Sequence, residues 1–200
     1  YQEGAEGDVV LELTRSNLLE WFRWATGDAP ASAAQGGTAA YLHTFEKNMA
    51  AAAMNVAGSA MTIQVGIPFR GGAVEPFTFS GCKCMGWSLA CQPNETAQVT
   101  FTVDANGATH ATDLATPTYP ATHVPFSWRD AAVVKRAGTA LVGVNSMSFA
   151  VENGLTSVDR KQFDGTAKYA EPMLSGEPTA TLQIEIEPSD LAQTYDDWVT

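Results

Sequence analysis

The chain has 200 residues, of which 45% are hydrophobic, so it can bury a core and is not disordered throughout. Its 11 basic and 22 acidic residues give a net charge of −11, which disfavours ordinary nucleic-acid binding through phosphate contacts. No apolar run approaches the roughly 20 residues that a membrane helix needs, so we predict no membrane partner.

The two chain ends lead to one expectation. The sequence begins at Tyr1 without an initiating Met, a basic segment or an apolar segment, so its start does not resemble a signal peptide. It ends abruptly at Trp198-Val199-Thr200. We expect a chain that is truncated at one or both ends.

Alternation of apolar and polar residues predicts six strands, each with one buried and one wet face. Their apolar sides are Val9, Leu11 and Leu13; Met61, Ile63 and Val65; Met85, Trp87 and Leu89; Val99, Phe101 and Val103; Met147, Phe149 and Val151; and Leu182, Ile184 and Ile186. Six such segments indicate a mainly β, single-domain chain (1–200) with antiparallel sheets packed as a sandwich or barrel.

One helix is predicted after the first strand. Ser16 is the predicted cap, the helix runs through Trp24, and Gly27 is placed to end it. One apolar face is shared by Leu18, Leu19, Phe22 and Ala25 and is widened by Trp21 and Trp24. We expect this helix to cover an open end or face of the sheet; the alternative is an aromatic patch that faces a partner.

Two long segments, about 28–58 and 106–124, lack strand periodicity. Loops of this length are uncommon inside a compact domain and are usually functional or disordered. In an assembly they are natural arms that become ordered on a neighbouring subunit.

The three cysteines, Cys82, Cys84 and Cys91, do not form a disulfide framework, because they are odd in number and lie in one segment. We predict buried free thiols. The histidines, His43, His110 and His123, have no paired spacing, so we predict neither a metal nor another cofactor.

Motifs of catalysis are not found in the sequence. Lys83 alternates with Cys82 and Cys84, so it should point away from both thiols. Glu185 and Glu187 share one strand face, which is typical of a solvated face and not of a carboxylate pair across a cleft. We predict that the protein is not an enzyme.

The C-terminal third predicts turns and loops between its two strands. Asn153-Gly154 is a strong tight-turn signal. Asp159 and Arg160 fall on a connecting loop, and the prolines at 172 and 178 limit strand pairing along Lys168–Pro178.

An ordered series of motifs resembles one family. The most specific stretch has a strand that ends in Asn153-Gly154-Leu155, then Asp159-Arg160, Gly165, Glu171-Pro172, Gly176 and the strand Thr181–Glu187. Earlier passages agree: Tyr41-Leu42-His43-Thr44-Phe45 followed by Ser59–Ile63, Phe79–Lys83 with Trp87-Ser88-Leu89, and Pro125–Trp128. Taken in order, these passages are similar to the tail tube proteins of long-tailed (siphovirus-type) bacteriophages.

The resemblance implies a tail tube fold with a β-sandwich-like or barrel-like core, a flanking helix and long arms. Such subunits form hexameric rings that stack into a hollow cylinder with a continuous inner β-barrel, through which DNA leaves the capsid. The implied partners are other copies of the chain, the tape-measure protein and DNA in the lumen, and the tail terminator and baseplate or tail-tip proteins. The implied location is the virion tail, assembled in the host bacterial cytoplasm.

The acidic composition fits a channel wall, because carboxylates repel phosphate and let DNA slide. Four acids on polar strand faces are candidates for lumen or inter-subunit positions: Asp104, Glu152, Glu185 and Glu187.

Two alternatives stay open. The first is a related tube or ring component, such as a tail terminator, a baseplate hub or the inner tube of a contractile machine. The second is a β-sandwich module that binds a carbohydrate or a surface through exposed aromatics such as Trp87, Trp128 or Trp198. We expect these tryptophans to pack in the core instead.

Overall fold

The computed structural model describes residues 5–14, 18–27, 31–37, 41–46, 60–119, 121, 123–128, 135–136, 138–141, 143–156 and 172–187. The elements of this part, in chain order, are β1 (Ala5–Glu12), α1 (Leu19–Thr26), β2 (Ala31–Ala34), β3 (Tyr41–Thr44), β4 (Met61–Pro68), β5 (Val74–Cys91), β6 (Gln98–Ala105), β7 (Gly107–Thr109), β8 (Lys135–Arg136), β9 (Thr139–Ala140), β10 (Val144–Glu152), β11 (Leu155–Thr156), β12 (Met173–Leu174) and β13 (Thr179–Ile186). The predicted mainly β, antiparallel fold with one helix is confirmed. No helix of these residues is long and apolar enough to cross a membrane.

Five strands form the main sheet in the order β1-β6-β5-β10-β13, and every neighbouring pair is antiparallel. The 18-residue strand β5 extends beyond this sheet. Its first half pairs with β4 on one edge and β7 on the other, while its second half pairs with β10 and β6. Strand β5 thus joins the main sheet to a smaller one, and its register shifts between Cys84 and Gly86.

The core lies between the main sheet and α1. Val99 and Phe101 on β6 are fully buried. The ring of Phe101 stacks on Trp21 at 5.3 Å between centroids and meets Phe22 edge-on at 5.9 Å. The Trp24 indole donates a 3.0 Å hydrogen bond to the Cys82 carbonyl oxygen. The predicted role of the helix, covering a face of the sheet, is therefore confirmed.

The predicted limits of the helix are right at one end only. Gly27 ends it with φ of 77°, and its N–H donates to the Arg23 carbonyl oxygen. The cap prediction was wrong, because Leu18 occupies the N-cap position and Ser16 lies outside the described residues. Leu18 is buried in the core, so apolar packing and not a side-chain cap fixes the helix start. Leu19, predicted on the buried face, is exposed.

The segment 28–58, predicted as a loop, contains a hairpin. Strands β2 and β3 pair with each other, and every one of their residues is exposed. Small residues hide the alternation, because Ala31–Ala34 has no large apolar side chain. Residues 47–58 lie outside the described part.

The second predicted loop, 106–124, is anchored to the smaller sheet. It begins with the short strand β7, which the sequence pattern did not predict. Farther along, the Gln64 side chain accepts a 2.9 Å hydrogen bond from the Ala115 N–H and donates to the Asp113 carbonyl oxygen at 3.3 Å. A single carboxamide thus ties this segment to β4.

Asn153-Gly154 does not form the tight turn that the sequence predicts. Gly154 has φ of 69°, as the motif suggested, but Asn153 is not left-handed and is fully buried between β10 and β11. Its carboxamide donates to the carbonyl oxygens of Ala25, at 3.0 Å, and Cys84, at 2.7 Å. Asn153 therefore links the end of the helix to the sheet.

The loop predicted over Lys168–Pro178 includes one short strand, β12, which pairs with β11. Pro172 is fully buried directly before it. Asp159, Arg160 and Lys168 lie outside the described residues.

Candidate functional site

One face of the main sheet is polar, and we call it the polar face. Cross-strand pairing brings five rows of side chains onto it, one from each strand, opposite the side that packs on the helix. The outer strands carry Glu6, Asp8 and Glu12 on β1 and Gln183 and Glu185 on β13, while the inner strands carry Thr100, Thr102, Ser88, Gly86 and, on β10, Glu152. Glu187 follows β13 with the same alternation, and its N–H donates to the Gly143 carbonyl oxygen at 2.7 Å.

Hydroxyl and imidazole groups hold several of these carboxylates in place. Ser146 donates to Glu185 and Thr102 donates to Asp8, each at 2.9 Å. Glu12 lies 2.9 Å from the His123 Nε2 and accepts a longer, 3.4 Å bond from Thr96. The hydroxyl donors are neutral, so these bonds leave the negative charge of the carboxylates in place.

Three of the four predicted acids lie on this face and are exposed: Glu152, Glu185 and Glu187. The wet environment expected for Asp104 was wrong, because its side chain is 2% exposed. It stands directly opposite Lys83 on β5 in the strand register, and Lys83 is buried as well. A buried acid beside a buried base cannot contribute a solvated carboxylate to the face.

The sequence prediction missed Glu6, Asp8 and Glu12 as members of the same set. Their alternation with Val9 and Leu11 was visible, but the pairing of β1 with β6 was not. That pairing places three exposed carboxylates at one edge of the sheet, while Glu185 and Glu187 lie at the other. The strand register, which the sequence does not give, is the information needed to group these acids with the others.

The basic residues whose side chains the structure describes are Arg23, Arg70 and Lys83, and none of them is exposed on the polar face. Arg23 lies on the helix beside Glu20 at 3.6 Å, on the other side of the sheet. Arg70 lies in the turn between β4 and β5, and Lys83 is buried. The described face is therefore acidic and hydroxyl-rich, which suits repulsion of a polyanion and not its capture.

The thiols are placed for packing and not for nucleophilic chemistry. Cys82 and Cys84 are buried, as predicted, and Cys91 is partly exposed. Burial, with a smaller contribution from the charge of Asp104, raises the pKa of Cys82 from 9.0 to about 11. The pKa of Cys91 is also raised, mainly by burial. Raised pKa values leave little thiolate near neutral pH.

The aromatic residues give no continuous binding platform among the described residues. Trp87 packs edge-on against Phe22 at 5.3 Å and Phe149 at 5.4 Å, as predicted for the core. Trp128 is 39% exposed, so the expectation that it packs in the core was wrong in part. Trp198 lies outside the described residues.

Comparison with known proteins agrees with the sequence resemblance. A family model described as phage tail tube protein matches residues 1–200. No curated protein matches the chain. The β-rich fold and this match over the whole sequence establish that the chain belongs to the phage tail tube protein family, a structural family of the virion tail and not an enzyme family.

Proposed function

We propose that the protein assembles as stacked hexameric rings into a hollow tail tube, and that the polar face of the main sheet lines the lumen through which DNA is ejected. The observation that carries this proposal is the difference between the two faces of the main sheet. One face holds exposed carboxylates and hydroxyls, and the other packs on α1. A wall of this kind needs one face for DNA and one for protein.

The negative charge of the polar face favours the passage of DNA over the binding of DNA. DNA carries one charge per ~1.7 Å of helix axis, and a carboxylate acts on it over a screening length of about 8 Å at physiological salt. Carboxylates that line the wall keep phosphates from settling on it. Hydroxyls and small side chains lie between these carboxylates, and the exposed Val10 stands among the acids of β1.

The two outer strands of the sheet support a ring. Among the described residues β1 pairs only with β6 and β13 only with β10, so each has an unpaired edge. Exposed edges favour association with another chain, and a closed barrel removes them. Strands alternate in direction across the sheet, so β1 and β13 run the same way. Rotation about the tube axis would therefore place β13 of one copy parallel to β1 of the next.

The residues assigned to the lumen differ from the sequence candidates. Glu152, Glu185 and Glu187 stay in the set, Glu6, Asp8 and Glu12 join it, and buried Asp104 leaves it. The remaining partners follow from the same proposal: the tape-measure protein in the lumen before DNA, the tail terminator at one end and baseplate or tail-tip proteins at the other, all assembled in the host bacterial cytoplasm.

Electron microscopy of the purified protein tests the assembly. We expect long tubes with six-fold symmetry, the polar face inward and α1 outward. Single rings that never stack would favour a terminator or hub ring. A monomer at high concentration, measured by sedimentation, would contradict the tube and favour a binding module.

Charge reversal tests the lumen. We expect assembled tubes of Glu152→Lys and Glu185→Lys to retain double-stranded DNA that wild-type tubes release, with retention decreasing as salt is added. The matched control is Glu20→Lys, which makes the same charge change on the exposed helix. Equal retention by the control would show that the polar face does not line the lumen.

A further inference from the structure

The apolar side of β10 and β13 is only partly covered in the subunit. Leu182 is 58% exposed and Ile186 is 38% exposed on β13. A groove of about 610 Å3 opens beside them, between α1 and the start of β13. Its apolar lining is formed by Phe22, Phe45, Trp87, Phe149, Val151 and Pro178. We call this groove and the apolar side of β13 the open apolar face.

The length of the helix explains why this face stays open. Eight residues give a helix of about 12 Å, and neighbouring strands lie ~4.8 Å apart. The helix packs over β6 and β5 through Phe101 and Trp87, and β13 is two strands beyond β5. The buried side predicted for β13 is therefore exposed in the subunit.

We propose that a second copy of this chain docks on the open apolar face through an uncharged segment. This inference rests on the proposed tube, and it names the surface that the tube uses outside the lumen. Every described residue that lines the groove is uncharged, and so are Leu182, Ile184 and Ile186. Copies that each carry a charge of −11 repel one another, so an uncharged surface is where they approach at the lowest electrostatic cost.

The position of the face favours a neighbouring subunit over a small ligand. It continues directly to the unpaired edge of β13, so one neighbour can cover the side chains and pair with the backbone. The contact is head-to-tail, since the open apolar face of one copy meets a different surface of the next. Contacts of this type form rings or extend into filaments.

Adjacent residues on β13 offer a matched test. Leu182→Glu places a carboxylate on the open apolar face, while Gln183→Glu places the same charge one residue away on the polar face. Sedimentation gives the critical concentration for assembly of each variant, and thermal unfolding gives the stability of the isolated subunit. We expect Leu182→Glu to raise the critical concentration about tenfold or more, because a charge would be buried against apolar groups. Both variants are compared at high salt, where screening suppresses the effect of an added charge on the polar face, so Gln183→Glu should change it by about twofold at most.

The outcomes separate this inference from the proposed tube. If wild type and Leu182→Glu form tubes at the same concentration, the proposed docking on the open apolar face is refuted, but the proposed tube is not. If Leu182→Glu lowers the unfolding temperature of the isolated subunit far more than Gln183→Glu does, the cover comes from the same chain and the proposal is overturned. A wild-type protein that never assembles would contradict the tube and the docking face together.

Discussion

At the scale of single residues, the buried carboxamide of Asn153 is the clearest link between helix and sheet. Both of its Nδ2 hydrogens are used, one on the Ala25 carbonyl at the end of α1 and one on the Cys84 carbonyl in β5. The last four carbonyls of a helix lack partners within the helix, so this bond satisfies one that would otherwise be buried and unpaired.

Replacing that carboxamide should destabilise the subunit. We expect Asn153→Leu to lower the free energy of unfolding by about 3 kcal/mol, because two buried carbonyls lose their donor. Urea unfolding measures the change. Asn145→Leu is the matched control, since Asn145 is exposed on β10, the strand that ends directly before Asn153, and its loss should cost less than about 0.5 kcal/mol. Equal losses for the two variants would show that Asn153 does not join helix and sheet.

The Cys82 thiol gives the stability a defined pH dependence. Its pKa of about 11 in the folded chain lies above the ordinary value of 9.0, so the folded state binds the thiol proton more tightly than the unfolded state. The contribution is complete below pH 9 and is lost as pH rises toward 11. We expect the free energy of unfolding to fall over this window. The loss should be smaller in Cys82→Ala, and equal slopes in the two proteins would refute the assignment.

At the scale of elements, the close approach of Gly154 to Gly176 holds together the start of β11 and the end of β12. A Cβ on Gly154 would lie 2.3 Å from the Gly176 carbonyl oxygen, and φ is already 69°. The Gly154 carbonyl accepts the N–H groups of Ser175 and Gly176, so neither backbone segment can withdraw without breaking bonds.

An alanine at this position should therefore be costly. We expect Gly154→Ala to lower the free energy of unfolding by about 2 kcal/mol or more, through the backbone conformation and the clash together. Gly176→Ala is the control, because a Cβ there meets nothing within 4 Å. Thermal unfolding measures the stability of both variants; a Gly154→Ala variant as stable as Gly176→Ala would mean that the contact between Gly154 and Gly176 opens without cost.

The elements also show how far the sequence predicts this fold. Alternation identified β6 correctly, because Val99, Phe101 and Val103 face the helix. It failed on β13, where Leu182 alternates correctly but no layer covers it in the subunit. It also failed on Asp104, since a polar position in a strand pattern carries no information about the segments packed on it. Local periodicity specifies which side of a strand is apolar, but only tertiary contacts specify which side is covered.

At the scale of the whole molecule, acids are concentrated at the two outer strands of the sheet. Glu6, Asp8 and Glu12 lie on β1, and Glu185 and Glu187 lie on or directly after β13. In a closed ring these two edges would meet, so the seam between copies would gather carboxylates from both. The residues between the edges are mostly hydroxyl-bearing or small, which keeps the charge at the seam. The same edges that can pair through their backbones thus repel through their side chains.

This conflict predicts that assembly depends on salt. Because like charges converge at the seam, added salt should screen the repulsion and lower the critical concentration for tube formation. We expect the concentration, measured by sedimentation at increasing sodium chloride, to fall several-fold between low and physiological salt. Glu185→Gln should assemble at lower salt than wild type, whereas Glu20→Gln, on the exposed helix, should not. Tubes that dissociate as salt is added would instead show that ion pairs between subunits, and not apolar and backbone contacts, hold the rings together.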